Sequence, residues 1–403
     1  MDPHLRSLYN QAYSPALYRR YMDRLETYLG VKIPFPVAET PLFIPHRLRD
    51  RLAKAANEIV EQISAPALVE KMKQAIPKHL DVPRMDHLPG CVQVDFAICR
   101  DEAGELDCKV VELQAFPSLY AMMVVQTDAM AAELQAFPGL DRKWSMFYSG
   151  LDRESFLARF KHALLAGHAP EEVVLLDLDP EQQKTYPDFI ATRLFTGVDA
   201  ISPLDLKCEG LRLFRTVNGK KVQVKRIFNR IVFDELFNKK AHLPFEWTDD
   251  LDVSWVCHPN WYWVWSKYTL PHLDHPAVPK ATLLTELPEI PADLSRYVLK
   301  PLFSFAGAGV KVDPTHADVA AIPEAERSNW LLMEKIEYAP ALPTPEGAGV
   351  KAEVRMMFLR APDEPKPTLV LDLVRLSRGK MLGVDQNKGF NWVGGSIGIW
   401  PVD

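Results

Sequence analysis

Arg296-Tyr-Val-Leu-Lys-Pro301 reads as a short apolar strand that ends on a lysine, and Ser304-Phe-Ala-Gly-Ala-Gly-Val310 follows it. A lysine at the end of a buried strand is poorly solvated and needs an anion, for which phosphate is a natural choice. Gly307 and Gly309 would let backbone N–H groups approach that anion closely. By itself the stretch reads equally well as a surface lysine before a turn. The segments on either side decide between the two.

Downstream, Trp330-Leu-Leu-Met-Glu-Lys-Ile336 is a second apolar strand, ending in Met333-Glu334. Backbone groups there suit the edge of a nucleotide base, and Glu334 can accept from ribose or amino groups. An edge strand with a solvated acid is the other reading. Next come Arg375-Leu-Ser-Arg378-Gly-Lys380, Asp385-Gln-Asn387-Lys-Gly389 and Asn391-Trp-Val-Gly394-Gly395. Closely spaced Arg, Lys, Asp and Asn suit a carboxylate, phosphates and Mg²⁺, and the glycines would let the loop fold over a site. A polar connecting loop is the alternative.

Upstream, Cys91–Cys99 alternates as a strand, 101–105 is a polar turn, and 107–114 is a second strand, so the pair reads as a β-hairpin. Alternation puts Glu112 and Gln114 on one face, where two oxygens can hold Mg²⁺, with Asp95 on the neighbouring strand. An ordinary polar strand face would look the same.

With 403 residues the chain is too long for one ordinary core, and two or three compact units are expected. Residues 1–154 are read as a helical region plus the hairpin, 155–254 as a small α/β layer, and 255–403 as a strand-rich nucleotide domain. Leu5, Leu8, Tyr9, Tyr13 and Leu17 form one helical stripe, and Leu52, Ala55, Ala56, Ile59, Val60 and Ile63 another. Ser64 is read as the start of the next helix, and further helices are expected over 120–134 and 181–196. Val173-Val-Leu-Leu-Asp-Leu178 is a short apolar run ended by acid, typical of a buried parallel strand. The tryptophans of 260–265 read as core more readily than as a pocket lining.

Net charge is −6 and pI near 6.0, which gives no general attraction to nucleic acid or anionic membrane. The basic stretch 219–226 alternates like the exposed face of a strand. No window of 18 apolar residues free of charge occurs, and Met1-Asp-Pro-His-Leu-Arg6 has no apolar leader pattern. The five cysteines lack CxxC spacing and read as reduced buried thiols. A cytoplasmic protein is expected, with a homodimer allowed.

The order of these segments resembles that of ATP-grasp ligases, specifically the eukaryotic-type glutathione synthetase and glutathionylspermidine synthase-like amide ligases. Val298-Leu-Lys-Pro301, Met333-Glu-Lys-Ile336, Arg378-Gly-Lys380 and 389–395 match that family's late ATP-binding motifs. Lys267 resembles its first ATP lysine, and Glu112 with Gln114 falls at its Glu-x-Asn metal strand. The resemblance implies an α/β (α+β) ATP-grasp fold with a small Rossmann-like pre-ATP-grasp domain, and ATP with Mg²⁺ as cofactors. It implies amide formation between a carboxylate on a small molecule or peptide and an amine acceptor, through an acyl phosphate.

It places Lys267, Lys300, Gly307, Gly309, Met333, Glu334 and Lys335 at the nucleotide, and Glu112, Gln114 and Asp385 or Asn387 at the metal. Arg378 and Lys380 fall at the reacting carboxylate, and Asp95, Ser118 and Arg230 at the substrate. Three departures stand out. Gln114 replaces an Asn, Ser304 stands at an acidic metal position, and Gln93 stands at an Arg position. They bring in a rival reading, an ATP-binding pseudoenzyme or regulatory module. A third is an unrelated α/β protein that handles sugars or nucleotides.

Overall fold

The computed structural model describes residues 1–116, 119–231, 233–239, 242–304, 308–379, 387 and 389–402, the side chains at 234, 237 and 238 excepted. The N-terminal stripe divides into two helices, α1 (Pro3–Ala12) and α2 (Pro15–Leu29), rather than the single one its periodicity suggests. Ser14 accepts from Leu17 N–H and Pro15 takes the first helical position, where its missing N–H costs nothing. Helix α3 (His46–Ile63) carries the second stripe on its buried face. Ser64 ends α3 instead of starting α4 (Pro66–Met72), because its hydroxyl donates back to the Val60 carbonyl at 2.6 Å.

The hairpin forms as read, from β1 (Cys91–Arg100) and β2 (Leu106–Gln114). Helix α5 (Tyr120–Leu134) begins without a cap of its own. Asp188 of another helix accepts from the N–H groups of Leu119 and Met122 instead. After α6 (Arg153–Leu165) comes a parallel layer of β3 (Val173–Leu176), β4 (Asp199–Ile201), β5 (Arg226–Asn229) and β6 (Ser254–Trp255), ordered β6-β5-β3-β4. The helix expected at 181–196 is shorter, α7 (Tyr186–Thr196), with Pro187 in its first turn. The basic stretch lies in an antiparallel ribbon, where Lys220 and Lys221 are exposed.

A small antiparallel sheet contains β7 (Ala281–Leu283), β8 (Tyr297–Pro301), β9 (Lys311–Val312) and β10 (Trp330–Glu334), in the order β7-β10-β8-β9. The largest sheet takes β11 (Gly349–Leu359), β12 (Thr368–Ser377) and β13 (Gly394–Ser396) and adds the hairpin, giving β13-β12-β11-β1-β2. Strands from before residue 154 and after residue 255 therefore share one sheet and, with the N-terminal helices, one hydrophobic core. A second core lies at the parallel layer, and a third at the small antiparallel sheet around Leu299 and Leu332. Trp261, Trp263 and Trp265 are buried, as their core reading requires. The five cysteines are free, four buried and Cys208 half-buried. No helix among the described residues is long and apolar enough to cross a membrane.

Candidate active site

The site lies where the small antiparallel sheet meets the hairpin. A β-bulge in β2 shapes it. Asp95 pairs with Glu112 and Phe96 with Val110, so Val111 has no partner on β1. The bulge re-aims the local backbone. Val110 N–H donates to the Ala277 carbonyl at 2.7 Å, and the Val111 carbonyl accepts from Lys300 Nζ at 2.9 Å.

Lys300 is 7% exposed, and its other contact is the thioether of Met333 at 3.3 Å. Burial pushes its ammonium down to about 8; Glu112 and Glu353 pull upward and Lys267 downward. A buried ammonium held by one carbonyl and one sulfur is under-neutralised, which is the condition an incoming anion would relieve. Lys267, 5% exposed, stands just after Ser266, the cap of a short 3-10 turn. Its Nζ lies 3.1 Å from Glu112 Oε1 and donates to the Ser304 carbonyl at 2.9 Å. The structure thus brings Lys267, Lys300, Met333 and Glu112 together, with Asp95 on the strand beside Glu112.

A second network, which the sequence reading did not assemble, flanks this one. Arg355 on β11 grips Asp95 through Nε and Nη2 at 2.7 Å each, and Arg375 on β12 also binds Asp95. Arg375 reaches Glu353 at 2.9 Å, and Tyr338 donates to Glu353 at the same distance. Burial acts to raise Asp95, but Arg355 and then Arg375 outweigh it and hold the carboxyl below its usual range. Glu353 is raised, chiefly by burial, with Arg375 pulling it down. Burial works against the Arg375 cation, and Glu353 and Asp95 overcome it and raise its pKa. Period-2 alternation was the available clue, because Glu353 and Arg355 share a face of β11 and Arg375 pairs with Glu353.

The remaining candidates are spread more widely. Gly309 has φ +75°, and a Cβ there would stand 3.1 Å from the Pro301 ring, so the turn after β8 requires glycine. Glu334 is the exposed last residue of β10, and its N–H donates to the Lys280 carbonyl. Lys335 bonds Asp313 at 2.6 Å. Gln114 ends β2 opposite the fully buried Gln93. Asn387 Oδ1 accepts from Ser377 Oγ and from the N–H groups of Arg378 and Gly379, so in this state that oxygen ties the chain to the end of β12. The Arg378 guanidinium lies over the Phe390 ring at 5.4 Å.

Arg230, at the carboxyl end of β5, is buried between the rings of Phe116 and Phe189. Burial lowers its pKa, and Asp177 and Asp188 oppose the shift. Burial in turn pushes Asp177 up to about 7. Ser118, Gly307, Lys380 and Asp385 lie outside the described residues. Among the described residues, no three His, Cys, Asp or Glu side chains gather as a metal-binding group. The arrangement offers an anion two buried cations, Lys267 and Lys300, and offers a cation the carboxylate of Glu112.

The fold so arranged is of the glutathione synthetase-like kind. A glutathione synthetase-like effector from Globodera pallida, in its apo form, matches with a TM-score of 0.57 at 13% identity. The match covers 91% of this chain and 95% of that one. At that identity the likeness concerns the fold. No family model and no curated protein matches the sequence.

Proposed function

We propose that the chain is an ATP-dependent carboxylate–amine ligase of the ATP-grasp type. The observation that carries this reading is Lys300, a buried ammonium beside Lys267 with a carbonyl and a thioether for partners. The glutathione synthetase-like fold supports it.

ATP would supply the phosphoryl group that turns the substrate carboxylate into an acyl phosphate. The residues of the chain supply position and charge. Lys300 and Lys267 neutralise the phosphate oxygens, so ADP leaves at lower cost when the carboxylate oxygen takes the γ-phosphorus. Glu112, now paired with Lys267, would be the chain's ligand for a Mg²⁺ ion carried by the phosphates, and the ion would supply further charge neutralisation there. Met333 floors the pocket beneath Lys300, and Glu334 marks the nucleoside end. The amine then attacks the acyl carbon, phosphate departs with the bonding electrons, and the nitrogen loses a proton. Arg378 and Lys380 serve the substrate carboxylate.

Asp95 is held by Arg355 and Arg375, so its part is to position those guanidinium groups. The fit to ATP rests on the two lysines. The fit to Mg²⁺ rests on Glu112 alone, with phosphate oxygens as the other ligands.

A second reading, an ATP-binding module without ligase chemistry, is favoured by one observation. Ser304 stands at the acidic metal position and contributes its backbone carbonyl to Lys267. ADP and phosphate release, measured against a panel of amino acids, peptides and polyamines, separates the two. Release stimulated by one carboxylate–amine pair supports the ligase. Tight ATP binding with no stimulated release would leave only the binding module.

A further inference from the structure

Helices α2 and α5 pack side by side and leave an open groove of about 580 Å³ between them, which shares no lining residue with the Lys267–Lys300 cleft. Helix α2 buries Leu17, Tyr21, Leu25 and Leu29, spaced one turn apart. Arg20, Arg24 and Tyr28 form the neighbouring row and stand at the surface. Helix α5 is buried on nearly every side, and Asp128 and Ala132, one turn apart, are its exposed residues. Val125, Ala129 and Ala132 give the groove an apolar floor of small side chains, and the half-exposed Tyr28 ring stands at its edge.

The polar groups of the groove are held in place from below. Glu133, 3% exposed, accepts from Arg20 Nε at 2.8 Å and from Arg24 Nε at 2.5 Å. The terminal Nη groups of both arginines make no hydrogen bond to any described residue, and the two side chains are 51% and 54% exposed. One buried carboxylate thus fixes two guanidinium groups whose outer edges remain open, which lowers the entropy they lose on binding. Asp23 and Asp128 line the same groove at the surface, and Asp128 pairs with Arg153 at 2.9 Å.

A single face therefore carries a projecting ring and a small-residue hollow, open guanidinium edges and surface carboxylates. Arg20, Arg24 and Arg153 balance Asp23, Asp128 and Glu133, three of each sign, so the face has no net charge with which to attract an anion or a cation. Its complement is a surface bearing the same features in the opposite order, which is what a two-fold rotation of the face itself presents. Tyr and Arg are also the side chains that most often anchor such contacts.

We propose that the α2–α5 face is the interface of a two-fold homodimer. Tyr28 of each copy enters the alanine hollow of the other, and Arg20 and Arg24 turn their outer edges to the partner's Asp23 and Asp128. The proposal stands apart from the ligase reading and does not depend on it.

Sedimentation equilibrium of the full chain tests the interface. The parent is expected at twice the chain mass of 45.7 kDa. Tyr28→Glu and Ala132→Arg each alter an exposed side chain. Each should weaken dimerisation at least about a hundredfold, because a substitution acts twice across a two-fold interface. Hydroxyl-radical footprinting of the parent needs no variant to fold: Tyr28 should be protected in the dimer and labelled after dilution. A parent that stays monomeric at about 0.1 mM would overturn the proposal. So would a dimer whose affinity survives both substitutions, or Tyr28 labelling that is equal at the two concentrations.

Discussion

Lys267 Nζ and Glu112 Oε1 stand 3.1 Å apart, so the lysine assigned to phosphate and the carboxylate assigned to metal neutralise each other in this state. On the proposed reading, binding of ATP with Mg²⁺ would exchange that pair for two new ones, Lys267 with phosphate and Glu112 with the ion. Metal-free ATP would bring no partner for Glu112 and would leave its carboxylate beside the triphosphate.

Glu112→Gln removes the competing carboxylate. The variant should bind metal-free ATP several-fold more tightly than the parent, and Mg²⁺ should add little further. Titrations with and without Mg²⁺ measure both effects. An undiminished gain from Mg²⁺ in the variant would place the metal elsewhere.

Lys300 predicts a pH dependence of opposite sign for stability and for binding. Its folded pKa, about 8, lies below the ordinary 10.5, so the unfolded chain binds the extra proton. Below pH 8 the folded state carries the full cost of a buried cation, and that cost fades as pH rises from 8 to 10.5. Stability due to this group therefore increases across that window. ATP binding needs the charged form and should weaken across it. Near pH 8–9 binding should take up a proton, which calorimetry in buffers of different ionisation enthalpy detects.

Asp95→Asn should act on the fold before it acts on catalysis. Asp95 is fully buried and is held by Arg355 and Arg375. Removing its charge leaves a buried guanidinium without compensation, for which about 3–5 kcal/mol is expected. Urea denaturation of the variant measures the loss. A change near zero would mean that solvent or relaxation already compensates the arginines.

Asp372 offers a test remote from the site. It is buried on β12, accepting from Tyr148 Oη at 3.0 Å and from Gly398 N–H at 2.8 Å, and burial pushes its carboxyl up to about 8. A raised carboxyl contributes stability that is complete below the unfolded value of 3.8 and is lost as pH rises through about 8. Asp372→Asn has nothing to ionise. Its melting temperature should gain on the parent's steadily between pH 5 and pH 8, and parallel curves would contradict the assignment.

Local pattern made much of this legible. Alternation along 91–114 gave the hairpin, and the apolar run at 173–178 gave a parallel strand. The lysine at the end of β8 was found from strand character alone. What escaped was set by pairing between distant strands. Nothing near Glu112 states that Val111 bulges, or that Lys300, 189 residues away, meets its carbonyl. Arg355 and Glu353 looked like ordinary strand residues until β11 was laid against β1 and β12. The Ser64 boundary failed for a local reason, since a serine hydroxyl can close one helix as readily as it opens the next. Asn387 shows a side-chain oxygen that looks like a metal ligand in sequence, while the fold uses it to hold two N–H groups and a hydroxyl at the end of β12.

On the proposed reading, Lys300 is kept buried and under-neutralised for the phosphates of ATP. Calorimetric titration of ATP·Mg²⁺ into the parent chain and into Lys300→Met tests it most directly, with denaturation of both run alongside. The parent should bind, the variant should bind at least about tenfold more weakly, and the variant should be no less stable than the parent, because methionine removes a buried charge. Equal ATP affinity in the two proteins, or a parent that does not bind ATP·Mg²⁺, would contradict it.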